Sequence, residues 1–214
     1  MIGINIGCGQ TPTEGFRNFD NSPSLRLARI PLVGGLLRKA GMVDQAQASF
    51  IEFATSHRIE YGDVLKGLPV QSGSVDVVYS SHVIALLDRA EADVFLAEVL
   101  RILRSGGVFR ISIPDFKIWV EKYRETGDID EFQRYLALST PKPKGLLQWL
   151  RVALVGTRQH YWLYDGASLC RLLEQRGFVG AEILPAGETG IAEPGGLDLR
   201  EREGNSVYVE ARKP

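Results

Sequence analysis

Cysteine is scarce in this 214-residue chain, where Cys8 and Cys170 are the only two. Two cysteines cannot build a disulfide framework, and their spacing resembles no zinc pattern. With only three histidines, no metal site is expected. An excess of charge is missing too. The balance of 25 basic against 26 acidic residues gives a net charge of −1, so no basic field favours nucleic acid. No apolar run reaches the roughly 18 residues of a membrane span. The N-terminus lacks the positive stretch of a secretory leader. Repeats and low-complexity segments are absent. These absences lead to the expectation of a soluble, cytoplasmic protein.

What is present suits an ordinary globular protein, with 44% apolar and 24% charged residues. The length suits a single domain, 1–214. Short apolar or β-branched runs occur at Ile2–Ile6, Ile59–Tyr61, Val75–Tyr79, Val108–Ile113 and Val207–Ala211, with Gly180–Leu184 as a sixth. Several are nearly continuous in apolar character, as in strands buried on both faces of a parallel sheet. Between them, Arg89–Arg104 has helical periodicity with Val94, Phe95, Val99, Ile102 and Leu103 on one face. Ser105-Gly106-Gly107 ends it. Ala167–Arg176 repeats the pattern and stops at Gly177. The alternation predicts an α/β fold: a Rossmann-like, mostly parallel central sheet with helices on both faces. Two stretches interrupt it, about 24–56 and 117–163, and are expected to be helical insertions near the C-terminal edge of the sheet. The second includes an amphipathic segment, Leu146–Val155, beside Lys142 and Lys144.

The chain begins MIGINIGCGQTPTEGFRNFD, placing the turn Gly7-Cys8-Gly9 at the tip of the first strand. A dinucleotide site would need a third small residue three positions on and a helix start to hold pyrophosphate. Pro12 stands there instead, in the loop Gln10–Gly15. The turn therefore suits a ligand without phosphates that needs close backbone contact. Asp20 follows soon after. A ribose diol donates two hydrogen bonds, and one carboxylate can accept both; the structural alternative for Asp20 is a turn or cap before Ser22-Pro23.

Taken in order, these segments resemble class I S-adenosylmethionine-dependent methyltransferases. The nearest branch is a small bacterial one with an Asn-Leu-Gly-Cys-Gly-like first motif, here Asn5-Ile6-Gly7-Cys8-Gly9, and a second motif read here as Gly15-Phe16-Arg17-Asn18-Phe19-Asp20. GDVLKGLPVQSGSVDVVYSSHV, LRILRSGGVFRISIPD, HYWLYDGASLCRLLEQRGF and the closing SVYVEARKP also resemble that branch. The resemblance spans nearly the whole chain except 24–56 and parts of 117–155. It implies S-adenosylmethionine as cofactor, with Gly7, Cys8 and Gly9 at the methionine end and Asp20 on the ribose. Asp63 and the backbone of Val64 would meet the adenine, and Ser80 and Ser81 would border the sulfonium. Where the branch continues Ser-Ser-His-Val with Leu-Glu-His-Leu, this chain has Val83-Ile84-Ala85-Leu86-Leu87.

Methyl transfer is an in-line displacement, and a hydroxyl acceptor adds the need for a base. The candidates are His82 first, His160 second, and Asp115, which could equally cap a helix. The expected acceptor is a small molecule or a glycan, with a sugar hydroxyl the leading case by analogy. The Leu146–Val155 segment allows a peripheral membrane contact. Two rival readings stand beside this one: a non-catalytic S-adenosylmethionine-binding protein, and an NAD-dependent oxidoreductase.

Overall fold

A computed structural model describes residues 1–22, 25, 53, 56–137, 145 and 159–214. The 24–56 insertion lies almost wholly outside the described residues, as do the amphipathic Leu146–Val155 segment and its neighbouring lysines. Seven strands form one sheet: β1 (Gly3–Ile6), β2 (Phe16–Asp20), β3 (Ile59–Tyr61), β4 (Val75–Ser81), β5 (Leu103–Pro114), β6 (Val179–Leu184) and β7 (Ser206–Arg212). Their order is β3-β2-β1-β4-β5-β7-β6. The first five are parallel, and β7 runs antiparallel between β5 and β6. This is the mostly parallel, Rossmann-like sheet that the alternation predicted.

Strand order reverses between β1 and β4, which makes a cleft at their C-terminal ends the natural ligand site of an open α/β sheet. The turn after β1 and the residues after β4 both open there.

Helix α1 (Arg89–Ile102) begins with a capping box, Asp88 accepting from Glu91 N while Glu91 accepts from Asp88 N. Ala92, Phe95, Leu96, Val99 and Ile102 form its buried stripe. Val94, expected on that face, is 46% exposed. The helix also ends earlier than predicted, because Leu103 and the residues after it join β5, with Leu103 paired to Val75. Helix α4 (Gly166–Gln175) is capped by Asp165 and packs on β6 and β7. Gly166 permits that approach: a Cβ there would lie 2.6 Å from Ile183 Cδ1.

Both helices cover one sheet face, where the Phe109 ring contacts both Phe95 and Phe178 in the main core. On the other face, Leu25 and Phe53, at the two ends of the 24–56 stretch, pack with Cys8 and Ile59. Ile191, Leu197 and Leu199 lie against Val77, Tyr79 and Val108. That face also buries a polar layer. Arg110, 0% exposed, pairs with Glu210 at 2.7 Å and donates to the carbonyls of Glu188 and Leu199. Glu210 accepts in turn from Thr189 Oγ1 and Gly190 N, so the 185–205 segment is fastened to the middle of the sheet.

Within the predicted 117–163 insertion, α2 (Phe116–Thr126) and α3 (Ile129–Leu136) form a hairpin. Asp115 caps α2 through Lys117 N. Trp119 and Tyr135 stack between the two helices.

Candidate active site

The β1 turn holds two glycines with left-handed backbone, Gly7 (φ 73°) and Gly9 (φ 51°). Gly7 N and Cys8 N both donate to Phe19 O, folding the turn over the end of β2. A Cβ at Gly7 would come within 2.2 Å of Val83 Cγ2, whereas one at Gly9 would meet nothing within 4 Å. The first glycine is needed for packing, and the second leaves open space beside the backbone. The Cys8 thiol is pushed up to about 12 by burial and by the neighbouring Asp20 charge, so it stays protonated and inert.

Gly7→Ala is expected to cost about 1–3 kcal/mol from the backbone conformation alone. The Val83 clash adds to that and displaces the turn. Denaturant unfolding checks the stability loss, and calorimetry with S-adenosylhomocysteine checks the turn. Wild-type values in both would show that the turn tolerates a side chain.

Asp20 accepts from Gly9 N at 3.0 Å on one oxygen and from Ser22 N at 2.7 Å on the other. The expected turn role is therefore present, and the carboxylate is fixed against the glycine turn. Its own carbonyl accepts from Gly62 N, which brings the end of β3 alongside. Asp63 follows, accepting from Leu65 N and pairing with Lys66 at 2.9 Å. Adjacent strand ends thus present two carboxylates. A carboxylate offers about four acceptor sites, so these contacts leave each with capacity for a ligand. Val64 is buried in the 3-10 turn that Asp63 caps.

Ser80 and Ser81 are the last residues of β4, not residues beyond it. The Ser80 hydroxyl is fully buried and donates to Ile6 O, so its side chain staples β4 to β1. Ser81 pairs in register with Ser112 at the end of β5.

His82 has φ 58° and is held through its backbone N to Ser112 O. Its ring is tethered on both sides. Arg202 Nη1 lies 2.9 Å from Nδ1, and Ser206 Oγ lies 2.8 Å from Nε2. A guanidinium can only donate, so Nδ1 carries the lone pair and Nε2–H donates to Ser206. Burial, then the Arg202 charge, then that of His160 push the imidazole down to about 3. His82 is neutral at ordinary pH, but its one lone pair is occupied.

His160 is arranged differently. Its Nδ1 lies 2.9 Å from Leu136 O, which can only accept, so Nδ1 is protonated and Nε2 bears the lone pair. The ring stacks on Trp119 at 5.9 Å. Its backbone donates to Ala137 O, and Tyr161 N donates to Ala85 O in the turn after His82. The insertion is thereby tied to the turn that follows β4.

Arg202 and Ser206 escaped the sequence reading. They lie 120 and 124 residues from His82, and only the antiparallel return of β7 brings them there. Asp115 lies beside the same region as a cap, with its carboxyl raised by burial. Among the described residues, no group of three or more His, Cys, Asp or Glu could hold a metal ion. No helix among them is long and apolar enough to cross a membrane.

A family model described as a methyltransferase domain matches residues 26–111. Among solved structures, a SAM-dependent methyltransferase from Thermotoga maritima is similar at 15% identity, covering 100% of this chain and 82% of that one, with a TM-score of 0.51. A SAM-dependent methyltransferase from Methanosarcina mazei is similar at 14% identity, covering 99% of this chain and 91% of that one, with a TM-score of 0.50. PigF, solved with SAH, is similar at 16% identity over 99% of this chain and 50% of its own, with a TM-score of 0.51. At these identities the three solved structures speak for the fold. No curated protein matches the sequence.

Proposed function

We propose that this chain, with S-adenosylmethionine as its cofactor, transfers a methyl group to a hydroxyl of a small-molecule or glycan acceptor. The methyltransferase-domain match over residues 26–111 and the Rossmann-like sheet support the cofactor. One observation carries the site: an open glycine turn at the β1/β4 switch point, with Asp20 hydrogen-bonded to Gly9 N. No helix follows that turn to supply an anion site, which disfavours NAD.

The residues fit the cofactor. Gly7, Cys8 and Gly9 would take its methionine end, and the remaining lone pairs of Asp20 would take the ribose hydroxyls. Asp63 and the Val64 backbone would hold the adenine, and the ends of Ser80 and Ser81 would border the sulfonium. When bound, S-adenosylmethionine supplies a methyl carbon attached to a good leaving group. Holding the acceptor oxygen in line accounts for roughly 7–11 kcal/mol of the barrier. The proton leaving that oxygen goes to His160 Nε2, because the His82 lone pair is taken by Arg202. His82 acts beside it as a positioning residue. The whole of 1–214 is taken as one methyltransferase domain, with the α2–α3 hairpin walling the acceptor side.

S-adenosylmethionine and S-adenosylhomocysteine should raise the melting temperature by mass action, and NAD should not. Asp20→Ala should weaken the binding of either by about 1.5–3 kcal/mol, the usual contribution of hydrogen bonds to a charged group. A shift with NAD alone would favour the oxidoreductase. Transfer of labelled methyl to any acceptor would exclude a purely binding protein.

A further inference from the structure

Among the described residues, only three other than glycine have a left-handed backbone: His82, Ala137 and Arg202. All three surround the two histidines. His82 and Arg202 are the partners in one hydrogen bond, and Ala137 O receives His160 N. Such conformations cost of order 1–3 kcal/mol each and collect where a site holds them in place. Here they fix one exposed arginine over one half-buried imidazole.

Arg202 has a side chain 55% exposed. Among the described residues its closest carboxylate contact is Glu201 at 3.9 Å, beyond hydrogen-bond distance. Glu201 is itself engaged, accepting from Tyr79 OH at 2.6 Å and from Thr11 Oγ1. Glu203, one residue further on, accepts two bonds from Arg200. Arg202 therefore donates once, to His82, and keeps the rest of its five-donor fork without a close anionic partner among the described residues. The planar fork suits a carboxylate or a phosphate, which it can grip with two parallel bonds.

We propose that Arg202 is the anchor for an anionic group on the acceptor molecule, a phosphate or a carboxylate, and that His82 holds its guanidinium in position. A tether of this kind must not compete for charge. His82 meets that condition, since burial and the adjacent cation keep it neutral across the working pH range. Ser206 fixes the ring from the other side. The acceptor class in the methyltransferase reading narrows accordingly, to a hydroxyl-bearing molecule that also carries an oxyanion. Only the word acceptor rests on that reading; the anion site rests on the residues.

Nitrogen-15 resonance of the full chain with S-adenosylhomocysteine tests the assignment. Inorganic phosphate and acetate are titrated separately, with chloride at matched ionic strength as control, while the His82 ring nitrogens and Arg202 Nε are followed. At least one oxyanion should shift both residues saturably, and whichever binds tighter identifies the group. Arg202→Gln should weaken that binding about tenfold or more, the loss of a charge-assisted bond. His82→Gln keeps an acceptor oxygen for the guanidinium and should retain most of the affinity, whereas His82→Leu should lose it. Unmoved resonances with both anions, or wild-type affinity in Arg202→Gln, overturn the proposal. Binding of S-adenosylhomocysteine, measured in the same samples, separates the two claims. Lost cofactor binding with an intact anion site would count against the methyltransferase, and the converse against the anchor.

Discussion

His160→Ala is expected to lower turnover roughly 10²–10⁴-fold, the range a positioned general base contributes. The effect should fall on kcat with cofactor affinity nearly unchanged, because the ring acts on the acceptor's proton and not on the cofactor. The reasoning starts from which nitrogen is free. Leu136 O fixes the proton on Nδ1, and Trp119 stacking fixes the plane, so Nε2 presents its lone pair in one direction. His82 lacks that freedom, because Arg202 donates to its only lone pair. Removing the His160 ring forfeits an aromatic contact of about 0.5–1.5 kcal/mol, which the fold should survive. Added imidazole should then restore part of the rate in His160→Ala, a rescue that a packing defect does not show. His82→Gln should lose far less. Full turnover in His160→Ala would leave alignment as the whole of catalysis, or return the role to His82.

The sequence pattern was most legible where a buried face repeats. Strands β1, β3, β4 and β7 and helices α1 and α4 carry short apolar or β-branched runs or helical stripes, and each lies within a few residues of its expected span. β5 stretches furthest beyond its apolar run. The glycine turn was legible because its neighbours are local: Asp20 reaches Gly9 across eleven residues. β2 has no such pattern. Phe16–Asp20 contains no β-branched residue, and the buried Asn18 is tolerated because it donates to Thr13 O and Phe16 O and accepts from Thr13 N. Val94 was misplaced because an apolar side chain on a helix need not lie on its buried stripe. The surroundings of the histidines were illegible for another reason. His82 meets Arg202 and Ser206 only after six strands of one direction and an antiparallel return, and no spacing in the chain encodes that approach.

Glu210→Leu is expected to destabilise the fold by about 3–5 kcal/mol, the cost of stripping one partner from a buried ion pair. The partner left behind is Arg110, which is 0% exposed and sits in the middle of β5. Its guanidinium would still reach the carbonyls of Glu188 and Leu199, but no charge would balance it. Thr189 Oγ1 and Gly190 N would lose their acceptor in the same step. Replacing both partners, Arg110→Met with Glu210→Leu, should recover much of the loss, since an apolar pair carries no desolvation penalty. The comparison of single and double variants by denaturant unfolding separates charge from packing. A Glu210→Leu protein within 1 kcal/mol of wild type would mean that water reaches the pair. The loss should also be felt at the site. The carbonyls that Arg110 holds belong to the 185–205 segment, and that segment carries Arg202 to His82. In the double variant, restored stability without those two carbonyl bonds should leave the segment loose. Amide exchange at residues 188–202 should then remain faster than in wild type, and oxyanion binding at Arg202 weaker, although the sheet beneath is sound.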